Sequence, residues 1–379
     1  MITGETQNLN GGKKDESGAT TVGASRASLR LTMLAVAIPV LAAIIGYITL
    51  PSHKPLLDEQ FLAAIAKGAT HGQAQAFSSW PGFETYDHWG PVTHGLLATV
   101  GGFIAKQTAL FRILEVLVHC ITTGCVYALV RGLRLNRIVA CATATLFALY
   151  PLSVEAVAWS GGFGAQLGCM FTMISLALYS KMRQNGLNWA WLGGALVSYA
   201  LAMGSSTNYW FAPLMVLWLE ISALPFRKDE TEKRDFTQVI LPSLMFFMVA
   251  AVFVAASGLE SISLPDLRMG IIGTLVRDLA MPINQIAWSH YSKEYRLGFV
   301  LMGLLAPSLA LGLWRSREAR FGLLVAAGWL AIAALPFCGL VLTEPGFYGQ
   351  RWLYLAALPV SLIVGIACSA MSASNFKHT

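Results

Sequence analysis

The chain has 379 residues, of which 55% are hydrophobic and only 12% are charged. A soluble domain carries about 25% charged residues, so the shortfall excludes an ordinary water-exposed surface and predicts an integral membrane protein. The formal net charge of +6 gathers on no single face of the kind a nucleic-acid groove requires, so no nucleic-acid partner is expected.

In chain order, residues 1–30 are rich in Gly, Ser, Thr and charge and lack the layout of a signal peptide. A disordered cytoplasmic tail is expected there. Apolar runs of membrane-crossing length then recur and predict an all-α fold with about ten transmembrane helices. They fall at residues 31–50, 111–130, 138–150, 161–179, 189–203, 209–224, 239–256, 297–314, 321–342 and 351–371. A short apolar helix over Pro91–Ile104 precedes the second span. Together these make one polytopic membrane domain, residues 31–371, followed by a short cytoplasmic tail at 372–379. Two long polar stretches, 51–110 and 257–296, interrupt it. Residues 269–281 are apolar but carry Arg277 and Asp278, which suits a helix lying along the membrane surface.

The basic residues orient the chain. With the N-terminus in the cytoplasm, 17 of the 26 Lys and Arg fall in short inner loops and tails. Positive charge concentrates on the cytoplasmic side of membrane proteins, so both long stretches become outer loops. The six cysteines lie in apolar runs without metal-binding spacing and read as small packing residues.

Four constellations carry polar chemistry. Asp58 and Glu59 follow the first span directly. Adjacent carboxylates at a membrane surface are costly unless solvated or used, although both also suit the first turn of a following helix. Glu155 is the sole charge between Arg137 and Lys181 and sits in a tight turn, Tyr150-Pro-Leu-Ser-Val-Glu-Ala-Val-Ala-Trp159. It is a candidate site residue or a solvated turn carboxylate. Arg351 opens the last span beside Trp352 and Tyr354. Its planar fork suits a lipid phosphate, and the same three residues suit an interfacial anchor. Glu115 and His119 stand four residues apart in the second span, on one helix face, and are expected to pair structurally inside the bundle.

These pieces stand in an order that resembles the transmembrane O-mannosyltransferases that carry tetratricopeptide repeats. The resemblance rests on Asp58-Glu59, on His88-Trp89-Gly90-Pro91-Val92-Thr93, and on Phe111 through His119. It rests also on Tyr150-Pro-x-x-x-Glu155-Ala-Val-Ala-Trp159 and on Gln350-Arg351-Trp352-Leu353-Tyr354-Leu355. It spans roughly residues 31–371. It implies a GT-C-like fold and a glycosyltransferase that uses a polyprenyl-phosphate sugar. On that basis Asp58, Glu59 and Glu155 are catalytic candidates. Arg351 and Tyr354 are candidates for donor-phosphate binding, and His88, Trp89 and His94 for the substrate site. The expected partners are the lipid bilayer and the lipid-linked sugar, with the acceptor unassigned. The expected location is a bacterial inner (plasma) membrane with the site facing outward. No cofactor is fixed; a divalent metal is compatible, and no metal ligand is assigned.

The departures from the family pattern are specific. Tyr150 stands where the family has His before the turn proline. Ser205-Ser206-Thr207-Asn208 replace its Lys-Glu pair. Ala356 stands near the place of its last proline, and no tetratricopeptide repeats occur. Two other classes therefore remain open: an inactive accessory protein of glycan assembly, and a transporter or flippase for a lipid-linked sugar. The latter would show broken helices in paired halves.

Overall fold

Apolar periodicity sets the architecture. In the computed structural model, residues 17–50, 90–104, 108–150, 152–158, 162–226, 236–257, 314, 316–334 and 353–375 are described. Among them every regular element is helical: α1 (Ser17–Tyr47), α2 (Pro91–Ile104), α3 (Thr108–Gly132), α4 (Arg137–Ala148), α5 (Leu152–Ala158) and α6 (Phe163–Asn185). The order continues with α7 (Trp189–Ser205), α8 (Ala212–Ala223), α9 (Phe236–Ser257), α10 (Arg317–Ala334) and α11 (Ala357–Asn375). Short 3-10 turns cover Thr207–Tyr209 and Leu224–Phe226.

Three of these helices are long and apolar enough to cross a membrane, over Ala109–Gly132, Phe163–Gln184 and Ile240–Ser257. At 1.5 Å per residue, a helix of about 20 residues spans the roughly 30 Å hydrocarbon core. Helices α4 and α8 have 12 residues each and cover only about 18 Å by the same rise. The surface is that of a membrane protein. Leu241, Leu244, Met248 and Val252 form an exposed apolar stripe along α9, and Leu34, Ile38, Leu41, Ile45 and Ile48 form another on and just beyond α1. Stripes of this length would aggregate in water, whereas lipid tails cover them without cost.

Helix α1 begins at Ser17, inside the stretch expected to be a cytoplasmic tail. Once the apolar span has nucleated a helix, each added residue contributes a hydrogen bond without a new nucleation cost, and the Ala and Ser residues of 17–30 tolerate that extension. Helix starts follow local chemistry elsewhere. Asn136 accepts the Val139 amide at 2.8 Å and Asn188 accepts the Ala190 amide at 2.9 Å, each capping its helix. Gly186 ends α6 with φ 82°, a left-handed conformation that glycine adopts freely.

The core joins α3, α4, α6, α7, α8, α9, α10 and α11, with Ala156 of α5. Helices α8 and α10 exchange indole hydrogen bonds. Trp218 donates to the Leu324 carbonyl and Trp329 to the Met215 carbonyl, both at 2.9 Å. Of the cysteines, Cys120 and Cys169 are buried as expected, while Cys368 lies exposed on α11. The predicted span at 297–314 (save Trp314), the surface helix at 269–281 and Cys338 lie outside the described residues.

Candidate functional site at one end of the bundle

Helix α3 places three polar side chains on one stripe, Arg112, Glu115 and His119, at spacings of three and four residues. Burying charge in an apolar bundle is costly unless every charge is met. Arg112 is 5% exposed, and Glu115 and His119 are fully buried. Arg112 Nη1 donates to Glu115 Oε2 at 2.9 Å. It also donates to the carbonyl of Ala158, the last residue of α5. Gln166 of α6 donates through Nε2 to the Glu115 carbonyl at 2.7 Å.

His119 is held from both sides. Its Nε2 lies 3.0 Å from the Ala148 carbonyl and its Nδ1 lies 2.6 Å from the Tyr354 hydroxyl. A carbonyl only accepts, so Nε2 carries the proton, and in the neutral ring Nδ1 accepts from Tyr354. Tyr47, at the end of α1, meets the imidazole edge-on at 5.1 Å, and Phe147 stacks on it at 5.9 Å. Ser153 donates to the Phe147 carbonyl at 3.3 Å, tying α5 to the end of α4.

A second cluster adjoins this one. Thr93 of α2 donates to the Ser205 carbonyl at 2.9 Å. The same carbonyl lies 2.8 Å from where a Cβ on Gly90 would stand, and 3.1 Å from one on Gly164. Both positions therefore favour glycine for close backbone approach. Beyond Ser205, buried Asn208 donates to buried Ser206 at 3.1 Å. Tyr209 donates to the Ala165 carbonyl, with its ring packed over Gly168.

The candidate residues separate as follows. Asp58, Glu59, His88, Trp89 and Arg351 lie outside the described residues. His94 lies on α2, and Glu155 lies on α5 between the Ser153 and Ala158 contacts. Glu115 and His119, expected as a structural pair, are both buried on one face of α3, each with contacts of its own. Arg112, three residues before Glu115, engages the carboxylate, and the imidazole nitrogens face Tyr354 and Ala148. Tyr354, a candidate for donor-phosphate binding, is fully buried with its hydroxyl 2.6 Å from His119 Nδ1.

Sequence reasoning missed Arg112, Gln166, Ser153 and Tyr47. For Arg112 a signal existed, an arginine three residues before a glutamate inside an apolar run. Among the described residues no group of three or more His, Cys, Asp or Glu stands close enough to hold a metal ion. The described polar groups mostly engage one another, so chemically they form a frame that fixes the turns around them. The chain matches no family model and no curated protein sequence.

Proposed function

We propose that the chain is a GT-C-like membrane glycosyltransferase with about ten spans. It moves a sugar from a polyprenyl-phosphate donor to a hydroxyl acceptor on the non-cytoplasmic side of a bacterial inner membrane. The observation that carries this reading is the bond between His119 and Tyr354, across 235 residues of sequence. It joins two of the segments that resemble the O-mannosyltransferases. The Thr93–Ser205 bond, across 112 residues, joins a third to the place of the missing Lys-Glu pair.

A phosphate-linked sugar already has a stable leaving group. The reaction needs a base for the acceptor hydroxyl and a cation for the departing phosphate. Asp58 is the base, with Glu59 as the alternative, and Arg351 is the phosphate clamp. Glu155 orients the acceptor or the sugar hydroxyls, and His88, Trp89 and His94 border the substrate. The acceptor oxygen attacks the anomeric carbon as the carbon–oxygen bond to phosphate breaks. The acceptor proton passes to Asp58, the bonding pair leaves on the phosphate, and the anomeric centre inverts.

One observation favours a second reading, a non-catalytic accessory protein. Ser206 and Asn208, near the place of the Lys-Glu pair, are buried and bonded to each other. The test is to incubate purified protein with a panel of polyprenyl-phosphate sugars and candidate acceptors and follow release of polyprenyl phosphate. Acceptor-dependent release from at least one donor supports the enzyme. A folded protein that releases none from any donor refutes it and leaves the accessory role.

A further inference from the structure

We infer that Arg112, held by Glu115, is a positioning residue that clamps the Glu155-bearing helix α5 against α3; this rests on the glycosyltransferase reading above. Helix α5 has seven residues, too few to be stable alone. It keeps its place through the burial of Ala156 and Val157 and through contacts at its two ends. At its start, Ser153 bonds the Phe147 carbonyl, and the adjacent Ala148 carbonyl meets His119. At its end, the Ala158 carbonyl accepts from Arg112 across 46 residues of sequence. That carbonyl belongs to the last turn of a helix, where carbonyls lack partners within the helix and the dipole is negative. A guanidinium satisfies both demands. Glu115 in turn fixes the guanidinium and, through its own carbonyl, takes the bond from Gln166 of α6. One stripe of α3 thus grips the chain before α5, at its last residue and beyond it in α6. Because His119 also holds Tyr354, the same stripe sets the distance between the Glu155 turn and the segment that follows Arg351.

The structural cost points the same way. A buried ion pair within one helix adds little to stability over apolar residues of similar volume. Here the charge is retained where its extra donor reaches a loop helix.

The test uses the full chain in nanodiscs, as wild type, Arg112→Met, Arg112→Lys, and the double variant Arg112→Met with Glu115→Leu. The double variant leaves no orphaned charge, so it folds even where the single methionine variant does not. Backbone hydrogen exchange is read over 152–158 and over 163–185. Loss of a charge-assisted bond is expected to speed exchange over 152–158 by roughly tenfold or more, with 163–185 unchanged. Arg112→Lys keeps the charge and a donor and stays near wild type. In the same samples, turnover of the donor consumed by wild type falls roughly 10- to 100-fold while its KM stays within about twofold. Unchanged exchange over 152–158 in the double variant overturns the clamp. So does an equal rise over 163–185, or full turnover with a loosened α5. A wild type silent toward every donor defeats the glycosyltransferase reading instead, and the exchange comparison alone then decides the clamp.

Discussion

An ion pair lies near each end of helix α6, and the two are built differently. At the far end, Arg183 of α6 lies 2.6 Å from Glu220 of α8, and Tyr179 donates to the same carboxylate oxygen at 2.9 Å. Gln184 adds a bond to the Gly132 carbonyl at 2.8 Å, so this cluster staples α6 to α8 and to the end of α3. At the near end, Arg112 and Glu115 sit on a single helix and need no pair to hold them together. Their remaining bonding reaches the end of a seven-residue helix and the start of α6. The difference teaches that charge at the Arg183 end joins one helix to another, while charge at the Arg112 end stays within one helix and reaches the end of a short one. The first is architecture, and the second suits the site proposed above.

The comparison breaks first on activity. Asp58→Asn is expected to lower turnover by about 10²–10⁴-fold, the usual loss for a general base, with the unfolding midpoint unchanged; turnover assays paired with equilibrium unfolding in mixed micelles check both. Near wild-type turnover would move the base to Glu59.

Glu220→Leu should do the reverse. It orphans Arg183, and breaking a buried pair costs about 3–5 kcal/mol. The Arg183 side chain is 17% exposed, which allows some resolvation and places the expected loss near 3 kcal/mol. Turnover per folded molecule stays within about twofold of wild type. A large activity loss with unchanged stability would erase the distinction between the two ends.

Two smaller changes sharpen the near end. A Cβ at Gly168 would stand 2.3 Å from the Tyr209 ring, so Gly168→Ala should cost about 1–3 kcal/mol and lower turnover by displacing the segment after Ser205. Thr93→Val removes one hydrogen bond to the Ser205 carbonyl and should cost about 1 kcal/mol. Chemical denaturation of both variants orders them; equal and negligible losses would show that neither the Gly168–Tyr209 packing nor the Thr93–Ser205 bond holds this end together.

The elements were legible where local pattern decides them. Pro91–Ile104 has the bounds that its apolar run implies, and α7 starts at Trp189 because Asn188 caps it. The start of α1 was not legible, since composition alone does not reveal that a nucleated span extends into a polar tail. The site was legible only in part. The i, i+4 spacing of Glu115 and His119 gave their shared face but not their partners, because His119 meets Tyr354 across 235 residues of sequence. Such a contact depends on how the turn before α11 packs against α3, which no local pattern encodes. Glu220 was overlooked although an acid within an apolar run is itself a signal; its partner Arg183 read as an ordinary inner-loop charge.

The most direct measurement follows transfer of labelled sugar from a polyprenyl-phosphate donor in wild type, Asp58→Asn and Glu220→Gln under matched lipid conditions. Glu220→Gln keeps an acceptor for Tyr179 and disturbs only the Arg183 end. Transfer by wild type and Glu220→Gln, with loss in Asp58→Asn of about 10²-fold or more, is the expected result. Equal transfer in all three, or none in wild type, would contradict a glycosyltransferase whose working end is the one that carries Arg112.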